Sequence, residues 1–172
     1  MDRDVIQEEA LEKILKYERC GVGISMGVGK TLLALKHADN NYTSDSKFLV
    51  VAPKKAIMDS WKNDAEKFGF HHVLDKITFT TYLSLRKQDL NYDIVYLDEC
   101  HSLLNTHDIW LSQHRGKVLG LTGTPPVRKG SEKYEMVSRY CPIKYTYITD
   151  DAISDSILND YRIYVHMLRM GS

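Results

Sequence analysis

The chain has 172 residues, 43% of them hydrophobic, with 23 basic and 23 acidic side chains and a formal net charge of zero. That length and apolar content fit one domain with a real core and exclude a disordered tail; no apolar run approaches the roughly 18 residues of a membrane helix, and the N-terminus lacks the basic-then-apolar layout of a secretion signal. Three widely spaced cysteines, Cys20, Cys100 and Cys141, argue for a reducing cytoplasm rather than a disulfide framework, and the balanced charge argues against a large phosphate footprint without excluding a local basic edge.

Helical and strand patterns alternate along the chain. Val5, Ile6, Ala10, Leu11, Ile14 and Leu15 recur at helical spacing, with Asp2 or Asp4 as the cap. "CGVGIS" reads as a short strand running into a glycine loop, and "KTLLALKHA" as the helix after it. "KFLVVAP" is an apolar strand stopped by Pro53. The next helix, "KKAIMDSWKNDAEKF", places Ile57, Met58, Trp61, Ala65 and Phe68 on one side. "KITFTTY" is a strand, "YLSLRKQ" a short helix, and "YDIVYLDE" a buried strand ending in acids. "IWLSQHRG" is helical, "KVLGLTGTPP" a strand and turn, "SEKYEMVSRY" helical and "IKYTYI" a strand; a helix over 150–159 and a strand over 161–168 follow. This β-α-β-α order predicts a single α/β domain over residues 1–170, with a mostly parallel sheet covered by helices on both faces.

Two stretches carry chemistry. "MGVGKT" lies between a strand and a helix, the setting in which backbone N–H groups and a helix N-terminus converge on a phosphate. Small residues let the backbone come close, Lys30 can reach terminal phosphates, and Thr31 can place a hydroxyl on Mg²⁺. The first glycine of the full G-x-x-x-x-G-K-[ST] pattern is Ile24 here, so this stretch alone also fits a glycine-rich turn with a chance lysine. The second stretch, "DIVYLDECH", delivers Asp98, Glu99 and His101 at a strand's C-terminal end, where open α/β sheets place their ligands. Asp98 can hold Mg²⁺ and Glu99 can orient and deprotonate water; a solvated acidic turn is the plain alternative, and the pairing with the glycine loop disfavours it.

In this order the motifs resemble those of superfamily 2 helicases and translocases. "MGVGKT" is similar to their motif I, "LDECH" to the motif II DExH box, "LTGTPP" to motif III, and "VIQEEAL" to the Q motif. "LVVAPKKAIMDSWKNDAEKF" and "FTTYLSL" resemble the motif Ia and Ib regions of the Snf2-like branch. The resemblance implies a RecA-like P-loop fold with the motif III strand between those of motifs I and II. It implies that Met26, Gly27, Val28, Gly29, Lys30 and Thr31 bind ATP, with Gln7 against the adenine. Thr31 and Asp98 would hold Mg²⁺, with Lys30, Asp98 and Glu99 catalytic. His101, Thr122 and Thr124 would couple nucleotide state to the track, and Pro53, Lys54, Thr80, Thr81 and Tyr82 would lie near one nucleic-acid strand. The Snf2-like spelling favours duplex DNA.

The family's motor also needs a second RecA-like domain, and no second glycine-rich or arginine-rich block follows Pro126. The expectation is therefore an ATPase half that is weakly active until a second domain joins it in cis or trans. A stand-alone nucleotide-dependent DNA- or protein-binding module is the alternative; a small P-loop kinase is disfavoured by "LTGTPP". The histidines and Cys100 lack the tight spacing of zinc ligands. Trp61 and Trp110 occupy apolar helix positions and read as core residues rather than base-stacking platforms.

Overall fold

The protein is described by a computed structural model covering residues 3–25 and 28–148. Six strands, β1 (Arg19–Ile24), β2 (Phe48–Ala52), β3 (Ile77–Thr81), β4 (Ile94–Asp98), β5 (Lys117–Thr122) and β6 (Ile143–Tyr147), form one sheet in the order β3-β2-β4-β5-β1-β6. Every pairing is parallel. The strand of "LTGTPP", β5, lies between β4 and β1, as the resemblance implied.

Six helices, α1 (Arg3–Ile14), α2 (Lys30–Asn40), α3 (Lys55–Lys67), α4 (His71–Leu74), α5 (Asp108–Gln113) and α6 (Glu132–Tyr140), cover the sheet. Successive strand side chains point to opposite faces, so one strand feeds two cores. Phe48 and Val50 join Leu33, Trp61 and Val73 on the face of α1 to α4. Leu49 and Val51 join Leu111, Met136 and Tyr140 on the face of α5 and α6. The chain leaves β1 towards the first face and leaves β4 and β5 towards the second. The crevice between these departures, at the strands' shared C-terminal edge, is where open parallel sheets bind ligands.

Local differences from the sequence reading have physical causes. "YLSLRKQ" shrinks to a 3₁₀ turn over Leu85–Lys87, and α4 and the 3₁₀ turns Cys100–Ser102 and Asn105–His107 are too short to leave a periodic signal. Asp4 lies inside the first turn of α1 rather than at its cap, and Asp2 lies outside the described residues. Val5 and Leu15 stay exposed while Ile6, Ala10 and Ile14 are buried, because α1 offers only a narrow stripe to the sheet. The helix and strand expected over 150–159 and 161–168 lie outside the described residues. No helix among the described residues is long and apolar enough to cross a membrane.

Three buried histidines are hydrogen-bonded as part of the packing. His37 Nδ1 lies 2.8 Å from the Tyr96 hydroxyl. The Leu104 N–H donates to His107 Nδ1 at 3.0 Å, so Nε2 carries the proton and donates to the Tyr82 carbonyl at 3.1 Å. His114 Nε2 donates to the Tyr92 carbonyl at 2.9 Å. Burial holds all three below the ordinary imidazole value, His37 at about 4 against 6.5.

The unfolded chain takes up protons near pH 6.5 and the folded chain does not, so acid favours unfolding. For His37 the loss runs from about pH 6.5 down to about pH 4 and amounts to roughly 3 kcal/mol. Urea denaturation across that window is expected to show stability falling with pH, with a shallower slope in His37→Gln. An unchanged slope in that variant contradicts the assignment.

Candidate functional site

The loop after β1 turns into α2 through Gly29, whose φ of +90° is open to glycine and costly to other residues. Among the described residues no side chain caps α2 and no acid sits in its first turn, so its first N–H groups and its positive end can serve an anion. Lys30 and Thr31 form that first turn, and Val28 is buried beneath the loop. Met26 and Gly27, assigned to the nucleotide by the sequence, lie outside the described residues.

Gln7, expected against an adenine, is 1% exposed and faces the loop. Its Nε2 donates to the Val28 and Gly29 carbonyls at 2.9 and 2.8 Å. Its Oε1 is buried with no hydrogen-bond partner among the described residues. In the structure, then, the amide ties α1 to the loop backbone.

At the end of β4, Asp98 is 1% exposed. Its Oδ2 accepts a 2.7 Å hydrogen bond from the Trp61 indole N–H, and its main-chain carbonyl accepts one of 2.7 Å from the Tyr82 hydroxyl. Its Oδ1 has no hydrogen-bond donor among the described residues and lies 4.0 Å from Lys30 Nζ. Burial raises the Asp98 pKa; the Trp61 hydrogen bond and the Lys30 charge act against that rise. A buried carboxylate oxygen without a donor is what a cation would answer, so the donor set of Asp98 and the neighbouring Thr31 fits Mg²⁺.

Glu99 sits in the left-handed region, at φ 53° and ψ 54°, and is the only described non-glycine residue with positive φ. That conformation costs on the order of 1 kcal/mol or more for such a residue, and it turns the side chain towards Lys30, with which Glu99 is ion-paired. Gly29, Lys30, Thr31, Asp98 and Glu99 line one cavity of about 340 Å³, closed on its other side by Ile57, Ser60 and Asp64 of α3.

His101, in the 3₁₀ turn after Glu99, connects this cavity to β5. Its Nδ1 lies 2.7 Å from Thr122 Oγ1 and 3.3 Å from Thr124 Oγ1, and its Nε2 lies 3.7 Å from Glu99 Oε2. The Thr124 N–H donates to Thr122 Oγ1 at 3.0 Å, which closes the group. Burial holds the His101 pKa below the ordinary imidazole value, against the pull of Glu99. The turn after β5 can lie this close because Gly23 of β1 has no side chain: a Cβ there would stand 2.5 Å from Pro125 Cγ.

The residues expected near a nucleic-acid strand divide. Pro53 and Lys54 are exposed and Thr81 is half-buried, whereas Thr80 and Tyr82 are buried. Tyr82 is turned inward because its hydroxyl serves the Asp98 carbonyl, so its ring offers little to a ligand. Sequence reasoning placed Trp61 in the core, where it is, and missed its bond to Asp98. The available signal was a buried indole, whose N–H needs a partner, on the helix after the strand next to β4.

A family model described as type III restriction enzyme, res subunit, matches residues 3–127. No curated protein matches the sequence. Among solved structures, the UvsW helicase from bacteriophage T4 superposes with a TM-score of 0.68 at 17% identity, over 84% of this chain and 60% of that one. The Sulfolobus solfataricus SWI2/SNF2 ATPase core, in complex with dsDNA, gives 0.58 at 16% identity over 81% and 34%. The Pyrococcus furiosus Hef helicase domain gives 0.59 at 18% over 88% and 38%. The chain thus spans 60% or less of each of these proteins. The fold shared with these proteins is a RecA-like α/β domain.

The geometry of the loop is open to a direct test. A Cβ on Gly29 would meet Gln7 Nε2 at 2.6 Å, whereas one on Gly69, at a similar φ of +80°, meets nothing within 4 Å. Gly69→Ala is expected to lose about 1 kcal/mol for backbone conformation alone. Gly29→Ala should lose clearly more in urea denaturation, and Gln7→Ala in the same chain should recover part of the difference. Equal losses at the two glycines would contradict the close packing of Gln7 on the loop.

Proposed function

Given that the chain belongs to the type III restriction enzyme res-subunit family, we propose that it is the ATP-binding half of a superfamily 2, Snf2-like DNA helicase or translocase. Hydrolysis of Mg-ATP would drive its movement on duplex DNA. The observation that carries this reading is the convergence of Lys30, Asp98 and Glu99 on one cavity at the mouth of a glycine loop.

The residues then have distinct roles. Val28, Gly29 and the first turn of α2 cradle the phosphates, with Met26 and Gly27 as the rest of the loop, and Lys30 neutralises their terminal charge. Thr31 and Asp98 hold Mg²⁺, which when bound supplies charge neutralisation for the phosphates. Glu99 orients the attacking water and takes its proton. Gln7 fixes the loop, and His101, Thr122 and Thr124 relay the state of Glu99 to the turn after β5. The edge formed by exposed Pro53 and Lys54 and half-buried Thr81 faces the track. The duplex assignment rests on the Snf2-like spelling, and the Sulfolobus neighbour that holds dsDNA agrees with it.

We assign the remaining charge stabilisation to an arginine of a second RecA-like domain, in cis or trans. Such a residue is worth about 10³ to 10⁵ in rate, roughly 4 to 7 kcal/mol of barrier. The 172-residue chain is therefore expected to bind Mg-ATP and turn it over far below about 1 s⁻¹. Lys30→Ala should lose binding by equilibrium titration, and Glu99→Gln should keep binding while abolishing residual turnover. Wild-type affinity in Lys30→Ala would refute the site; brisk, DNA-stimulated turnover by the chain alone would refute the need for a second domain.

A further inference from the structure

Asp98 is held at both ends by aromatic donors from opposite faces of the sheet. Tyr82, in the core of the α5–α6 face, donates its hydroxyl to the main-chain carbonyl; Trp61, in the core of the α1–α4 face, donates its indole N–H to Oδ2. Trp61 is fully buried, and its ring packs 5.8 Å from that of Tyr96. The Tyr96 hydroxyl is engaged with His37, so it does not compete for the carboxylate. Packing alone would be met by a phenylalanine or leucine at this position. An indole adds a polar N–H that must be satisfied when buried, and here the satisfied partner is one oxygen of the site's most buried acid.

We propose that Trp61 is a positioning residue for the metal: its N–H fixes the Asp98 carboxylate so that the second oxygen, Oδ1, faces Lys30 at the floor of the cavity. This rests on the reading of Asp98 as the Mg²⁺ carboxylate. The carboxylate plane rotates about one bond, and a donor on one oxygen fixes that rotation and with it the direction of the second oxygen. The selected orientation leaves the donor-free Oδ1 on the side of Lys30 and Thr31. Partners that orient a ligating carboxylate typically contribute 10- to 100-fold to metal affinity. Trp61 thereby links α3, and the exposed Pro53–Lys54 edge that precedes it, to the metal position through one hydrogen bond.

The test is Mg²⁺-dependent binding of a fluorescent ATP analogue to the full chain, with titrations repeated in EDTA. The variants are Trp61→Phe and a chain carrying 3-benzothienylalanine at position 61, which keeps the indole's shape and replaces its N–H by sulfur. Thermal unfolding reports whether each is folded; the benzothienyl chain preserves the packing if Trp61→Phe does not. The expected result is a Mg²⁺ half-saturation raised about 10- to 100-fold, with metal-free nucleotide affinity unchanged. A purely structural role would weaken both titrations together, and that result, or an unaltered Mg²⁺ dependence, overturns the proposal. Asp98→Asn separates the two levels. If it loses Mg²⁺ dependence while the Trp61 variants keep it, only the positioning role fails. If it too keeps Mg²⁺ dependence, the reading of Asp98 fails and the proposal with it.

Discussion

Placing a carboxylate at 1% exposure costs several kcal/mol unless donors or a cation answer it. The surroundings of Asp98 are arranged around that cost. Trp61 answers one oxygen, Lys30 lies at the edge of ion-pair range of the other, and Tyr82 holds the peptide carbonyl behind it. These three come from α3, α2 and the turn after β3, so the acid's position depends on the packing of both faces. Removing any one would leave a buried charge or dipole less than fully compensated.

The parallel sheet determines which groups can meet at that acid. Because β5 separates β1 from β4, the strands that lead to the glycine loop and to the acids are not paired with each other, and Thr122 at the end of β5 lies in the strand between them. His101 reaches this threonine from one side while staying within 3.7 Å of Glu99 on the other. The sheet order thus gives the acid end of β4 a short polar route to the turn after β5.

Most of this was legible in the sequence because it depends on local spacing. The glycine loop, the acidic strand end and the alternation of elements each leave a pattern within a few residues, and the place of β5 between β4 and β1 followed from the resemblance those patterns carry. The contacts that escaped are long-range. Gln7 lies more than twenty positions from the loop it supports, and Trp61 is 37 positions from Asp98. Tyr82 is expected near one nucleic-acid strand from its motif alone; its burial follows from a hydroxyl partner that only the folded sheet brings near. The short turns around Glu99 and His107 were missed because three residues do not make a period.

The ion pair between Lys30 and Glu99 joins the lysine of the glycine loop directly to the acid after β4. The Lys30 ammonium has three N–H donors, so on the proposed reading a phosphate that takes Lys30 competes with Glu99 for only part of its hydrogen-bonding capacity. The carboxylate that shares Lys30 is the one assigned to activate water. The same lysine that meets the terminal phosphate thus also bears on the carboxylate beside it, so one cation serves two partners of the proposed reaction.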